Sequence, residues 1–188
     1  MSDQEFFTVN HTITVNIEAL ANDVSLPSFE KFESEIPAPF IVASEFSHLD
    51  LLNDSARNEL KNSEFKHVIQ LLDTQNSKLN LLLTFMLSQQ DDEKQRCQTH
   101  SFGASQFTYV SDHNLHPATK VRVKMFLDHP AAAIYCYGHV VKVDQHDDGH
   151  LITINYDLLR DVDQDLLIKA ALFQQQKLLR QRSLDRNK

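Results

Sequence analysis

An α+β fold is predicted: a small antiparallel β-barrel with a long, heptad-bearing helical insertion and a C-terminal helix. Three observations predict it. Residues 6–17, FFTVNHTITVNI, alternate apolar and polar side chains with period two. Between about residues 55 and 90 there is neither glycine nor proline, and the period becomes helical. Beyond Arg96 it returns to two, in several short runs bounded by turn residues. With 188 residues, 41% of them apolar, the chain can bury its core as one domain spanning 1–188.

The first strand, 6–17, is rich in Thr, Val and Ile, which suit a pleated, half-buried surface. Pro27, Pro37 and Pro39 then punctuate a loop around 29–40. The helical insertion covers about 40–92. Its first part, 40–52, is apolar and reads as helix. In its second part Phe65, Val68, Leu72, Gln75, Leu79, Leu82 and Met86 follow spacings of 3, 4, 3, 4, 3, 4, an a/d seam sustained over three heptads. Ile69, Leu71, Leu83 and Phe85 widen that seam beyond a narrow two-stranded stripe. One small sheet cannot cover so broad a face. It needs another long helix, either from this chain as a helical hairpin or from a copy of it. Gln75 is the one polar seam position, which suits register control at some cost in stability.

The barrel strands are expected over 99–157. The run 99–110 forms the first. Val121, Val123, Met125 and Leu127 then make one face of a strand whose other face is Lys120, Arg122 and Lys124. Further strands cover 134–143 and 151–156, with Asp147-Asp148-Gly149 turning the chain between them. Asp163 caps a final helix, 163–182, in which Ile168, Ala171, Leu172, Gln175 and Leu179 share a face.

Composition removes several function classes. There are three glycines (Gly103, Gly138, Gly149) where average usage gives about 13, so no glycine-rich phosphate loop can be written. A net charge of −8 and the lack of Trp argue against nucleic acid, although Tyr109, Tyr135 and Tyr137 on the expected strands invite comparison with oligonucleotide-binding barrels. Cross-strand packing is the commoner role for such tyrosines. The start Met-Ser-Asp-Gln-Glu is no signal peptide, and the longest apolar run, 79–87, is too short to cross a bilayer, so a cytoplasmic protein with no membrane insertion is expected. Cys97 and Cys136 form neither a disulfide framework nor a zinc motif. Cys97 follows Arg96 and precedes His100, an arrangement that can activate a thiol, but no acidic orienter or oxyanion loop accompanies it. His113 and His116, and His146 with Asp147, Asp148 and His150, are expected as loop residues. No enzyme activity, metal or cofactor is therefore expected. Charge is uneven: residues 1–100 hold seven Lys/Arg against sixteen Asp/Glu, whereas 101–188 hold eleven against ten. The basic C-terminal tail can complement its own helix dipole or meet an acidic partner or a phosphate.

Three segments together resemble PilZ domains, bacterial small barrels associated with cyclic di-GMP. The segment Thr99-His100-Ser101-Phe102-Gly103-Ala104 lies where that family carries [D/N]xSxxG. Residues 120–125 and 134–141 look like two successive barrel strands, and 154–159, 163–168 and 176–182 like the closing strand and C-terminal helix. The resemblance covers roughly 97–184. A heptad-bearing helix between the first strand and the rest of the barrel is similar to the atypical, tetramer-forming PilZ subgroup, which is implied to assemble through these helices and to lack the dinucleotide site.

An ordinary PilZ domain pairs an RxxxR segment with the [D/N]xSxxG loop: arginines grip phosphates and stack on guanine. Here Thr99 stands at the acidic position and Ala104 at the glycine, leaving Ser101 matched; Asp91-Asp92-Glu93-Lys94-Gln95-Arg96 supplies no RxxxR. The expectation is a non-enzymatic signalling or scaffold protein without high-affinity cyclic di-GMP binding. It would form a homo-oligomer, a tetramer favoured, through Phe65, Val68, Leu72, Gln75, Leu79, Leu82 and Met86, and bind a protein partner. The alternative is a divergent cyclic di-GMP receptor using Arg96, Ser101, Gly103, Arg180 and Arg182.

Overall fold

The structure, a computed structural model, describes residues 8–60, 65–128 and 131–186, the side chains of 50–55 and 185–186 excepted. In chain order the elements are β1 (Thr8–Val9), β2 (Thr14–Ala19), α1 (Phe29–Glu35), α2 (Ala38–Leu60), α3 (Lys66–Ser88), β3 (Arg96–Gly103), β4 (Gln106–Ser111), β5 (Lys120–Asp128), β6 (Ala131–His146), β7 (Gly149–Leu158) and α4 (Asp161–Arg186). The strands pair in the order β3-β2-β5-β6-β7-β4, all antiparallel, and β4 returns to β3. Six strands thus close a barrel, which removes the long unpaired edges an open sheet would expose.

Period-two patterning fills the interior. Val121, Val123, Met125 and Leu127 of β5 are all buried there, with Phe102, Phe107, Ile152 and Ile154 from its neighbours. Leu166, Leu167, Ala170 and Ala171 of α4 join the same core, so α4 plugs the barrel. A second core lies outside it. β6 buries both faces: Ala132, Ile134 and Cys136 point inward, while Ala133, Tyr135 and Tyr137 lie under a helical layer. Phe32 of α1 stacks on Tyr135 at 6.2 Å, and Phe40 of α2 meets the same ring edge-on at 6.3 Å. Each fully buried Phe is worth about 1.5–3 kcal/mol, enough to hold the helices on the wall. Leu83 and Leu87 of α3 complete this cluster.

Several sequence expectations need correction. The strand expected over 6–17 is two strands, β1 and β2, broken at 10–13 and running on to Ala19; Phe6 and Phe7 lie outside the described residues. The loop expected over 29–40 contains α1. Ser28 caps it by accepting from the Lys31 amide, and Phe32 drives it onto the barrel. The continuous helix expected over 55–90 is the end of α2 followed by α3. Phe40 and Ala43 near the start of α2 meet Leu83 and Leu87 near the end of α3, while Arg57 pairs with Asp73. The two helices therefore form an antiparallel hairpin. The strand expected over 99–110 is the hairpin β3–β4, turning at Ala104-Ser105.

On α4 the predicted face is mostly the wrong one, Ala171 being its one buried member. Leu166, Leu167, Ala170, Ala171 and Gln174 are buried, while Ile168, Leu172 and Leu179 face solvent. The helix is apolar on two sides, and the periodicity alone does not say which side meets the barrel. Asp163 is no cap either. It lies inside the first turn, fully buried, and binds Arg160 through two hydrogen bonds of 2.7 and 2.8 Å. The turn at Asp147-Asp148 does form, with Gly149 at φ 135°, a conformation L side chains rarely adopt. Gly138 is needed for another reason: a Cβ there would lie 2.3 Å from the Asn155 carbonyl oxygen.

Candidate functional site

α3 carries two heptad rows one residue apart. The row Ile69, Asp73, Asn76, Asn80, Leu83, Leu87 turns toward α2 and the barrel, and its members are buried or half-buried. The row picked out by the sequence, Val68, Leu72, Leu79, Leu82 and Met86, faces solvent and is 42–62% exposed. The inward row is polar at its three middle positions and the outward row is apolar. That is the reverse of what a helix belonging to an isolated chain would show. Phe65, at the N-terminal boundary of α3, is exposed as well, and so are Leu71, Leu81 and Phe85 on the far side. Gln75 lines a groove of about 230 Å³ between the helices, together with Leu72, Leu79, Ile69, Ala56 and Leu60. Of the two ways to cover the seam, the intramolecular hairpin covers the neighbouring row and leaves Leu72, Gln75 and Leu79 exposed at the side of the groove. Leu81 was not singled out from the sequence, although the run Leu81-Leu82-Leu83 signals a helix apolar around most of its circumference.

The segment that stands at the place of the ligand motif, with Ser101 alone matching it, has other duties. Where the first strand breaks between β1 and β2, the Thr99 hydroxyl accepts from the Ile13 amide at 3.0 Å and donates to the His11 carbonyl at 2.9 Å. Thr99 is buried, and its hydroxyl bridges the gap in the ladder. The Ser101 hydroxyl is bonded to that of Thr108 across the β3–β4 hairpin at 2.8 Å. Gly103 pairs with Thr8 of β1, and the Ala104 carbonyl accepts from the Gln164 side chain at 3.2 Å.

Arg96 sits at the opposite end of β3, roughly 23 Å from Gly103 at ~3.3 Å per residue. Its guanidinium is bound to Asp91 at 2.7 Å, with Glu93 at 3.8 Å. Burial acts to raise the Asp91 pKa, but hydrogen bonds from Arg96 and Asn16 outweigh it and hold the carboxyl below its ordinary value. Arg180 and Arg182 are exposed on the last two turns of α4. The residues of the ligand alternative are thus not gathered into one cradle: its serine is bonded to Thr108 and Arg96 to two acids.

The other chemical candidates resolve in the same way. Cys97 is half-buried, and burial pushes its thiol pKa up, away from the thiolate. Tyr135 and Tyr137 lie beneath the helical layer, and Tyr109 is buried in the barrel, so these rings offer no open stacking surface. The His146 ring accepts from the Asp148 amide at 3.3 Å and stands edge-on to His100. Among the described residues no group of three or more His, Cys, Asp or Glu could hold a metal ion. None of the described helices is long and apolar enough to cross a membrane. A polar cleft of about 310 Å³ separates β2 and β5 from the α1–α2 junction. Its charges answer one another: Arg122 binds Glu18, Tyr137 donates to Glu35 at 2.7 Å, and Lys124 donates to the Gln90 carbonyl at 3.1 Å.

No protein-family model matches the sequence, and no curated protein matches it. Solved structures do resemble the fold. One is the Bacillus subtilis inhibitor of motility MotI/DgrA, at 15% identity over 44% of this chain with a TM-score of 0.42; the chain spans 42% of that protein's length. Another is a pathogenic protein from Xanthomonas campestris, described as a tetrameric PilZ domain self-assembled via an unusual helical bundle. It is 12% identical, with a TM-score of 0.59, and the match covers 94% of this chain and 92% of that one. A match of that extent takes in helical layer and barrel together. In fold, the chain is a PilZ-like domain: a closed six-stranded antiparallel barrel, plugged by a C-terminal helix and bearing a helical layer on its outer wall.

Proposed function

We propose that this protein is a non-enzymatic PilZ-like scaffold. It self-associates through the outward row of α3, a tetramer favoured, and presents its barrel to a protein partner in bacterial cyclic di-GMP-linked signalling. The observation that carries this reading is the inverted α3, whose apolar row is the one left in water. Five side chains there, each 42–62% exposed, would gain about 1 kcal/mol or more apiece on burial. The exposed arc also takes in Leu71 and Phe85 and is too wide for a two-stranded contact. The tetrameric assembly of the Xanthomonas protein supports the same reading.

High-affinity cyclic di-GMP binding in the usual mode is not part of the proposal. Thr99 and Ser101 are held in intrachain hydrogen bonds, and Arg96 is neutralised by Asp91. Multi-angle light scattering of the full chain tests the assembly. A mass of several protomers is expected, falling to one in the Leu79→Lys/Leu82→Lys variant. An unchanged oligomer in that variant, with folding verified by circular dichroism, would remove the seam from the account.

A further inference from the structure

Two exposed amphipathic faces of opposite charge remain once the α3 seam and the barrel are accounted for. On α4, the side turned away from the barrel carries Ile168, Leu172 and Leu179, 36–57% exposed. Lys169, Arg180 and Arg182 flank that row. Residues 166–184 contain Lys169, Lys177, Arg180 and Arg182 and not one acid. On α2 the outward side carries Ile41 and Leu49 with Glu45 between them, and Glu59 farther along. Residues 28–60 hold seven carboxylates against Lys31 and Arg57, and Arg57 is taken by Asp73. Lys169, Arg180 and Arg182, like Glu45 and Glu59, have no ion-pair partner among the described residues.

The spacings agree. At ~1.5 Å per residue, Lys169 and Arg182 lie about 20 Å apart along α4, and Glu45 and Glu59 about 21 Å apart along α2. In each helix a leucine sits between the charged positions, Leu172 or Leu179 on one and Leu49 on the other. From this complementarity we infer that the outer face of α4 docks on the α2 of a second copy of the chain. Lys169 and Arg182 lie against Glu45 and Glu59, and the apolar rows are buried between them. The contact joins two different surfaces of the chain, and it is separate from the α3 seam. It is also sensitive to salt, because exposed charges steer it, whereas burial of the α3 row is not weakened by salt.

Sedimentation velocity of the full chain at low and high salt tests this, with Lys169→Glu/Arg182→Glu, Glu45→Lys/Glu59→Lys and the fourfold combination. Either charge reversal, and high salt in the wild type, is expected to raise the dissociation constant of the largest species about tenfold; the combination restores it to within about threefold. Reversals without effect, or a combination as weak as its parts, would overturn the inference. So would reversal that leaves the mass unchanged but abolishes flotation with anionic phospholipid vesicles, which would make a lipid surface the occupant. The same series in the Leu79→Lys/Leu82→Lys background keeps the two contacts apart: there the salt-sensitive association is expected to persist on its own. Should the lysines leave the assembly intact, the α3 seam fails, and charge-swap rescue still decides the α4–α2 contact.

Discussion

Thr99 shows how one side chain can be withdrawn from a binding motif by the backbone around it. Its hydroxyl is donor and acceptor at once, bonding the Ile13 amide and the His11 carbonyl where β1 and β2 part. A hydroxyl can do both; a carboxylate can only accept. Thr99→Val, which leaves a buried amide and carbonyl unanswered, is expected to lower stability by about 1–3 kcal/mol. Thr99→Asp, although it restores the acidic residue of the ordinary PilZ motif, is expected to be worse than Thr99→Asn, because it sets a negative charge against the His11 carbonyl. Urea midpoints of the three variants check the order; Asp tolerated as well as Asn would contradict it. That position 99 departs from the motif was legible in the sequence. Its structural duty was not, because the break at 10–13 lies inside a run of unbroken period two, and only the register shows it.

Among the elements, α3 was the most legible and the most misleading. The heptad spacing located the helix and its apolar row, and Leu83 was already noted as widening it. The adjacent row that packs inward reads as polar, Asp73, Asn76 and Asn80, so nothing in the pattern marks it as the packed side. The hairpin was one of the two arrangements left open, but its turning point was not marked: between α2 and α3 the sequence contains neither glycine nor proline. β5 could be read directly, since one face is buried and the other is not. β6 could not, because it is covered on both sides and loses its alternation. The two neighbours Leu82 and Leu83 separate these roles. Leu83→Ala is expected to cost about 2–5 kcal/mol of folding stability, since the side chain is 2% exposed. Leu82→Ala should leave folding within about 0.5 kcal/mol while weakening self-association. Denaturation and light scattering on the same pair of samples distinguish the two effects. A large loss of folding stability from Leu82→Ala in dilute protein would mean that the outward row is packed within the chain.

Across the whole molecule, acid affects two carboxylates in opposite senses. Asp163 has its pKa raised by burial, against the pull of Arg160, so the folded state takes up a proton there sooner than the unfolded chain does. The penalty for keeping it ionised is relieved as pH falls from neutrality through its folded value toward 3.8. Asp91 is the reverse case. Its depressed pKa contributes stability that is complete above 3.8 and disappears as pH falls through the folded value below that. Relative to Asp163→Asn, the wild type should therefore gain stability on mild acidification; relative to Asp91→Asn, it should lose stability only in stronger acid. Urea titrations of the three proteins over a pH series check both signs, and parallel curves for wild type and either variant would refute that assignment.

β6 lends one face to the barrel interior and the other to Phe32, Phe40, Leu83 and Leu87. Barrel and helical layer therefore share a party wall a single strand thick. A disturbance that tilts the helices reaches the opposite room without passing through any loop, because Tyr135 and Ile134 are consecutive residues. Were α3 to assemble as proposed, a shift of Leu83 and Leu87 would bear on Tyr135, whose chain neighbour Ile134 faces the barrel interior.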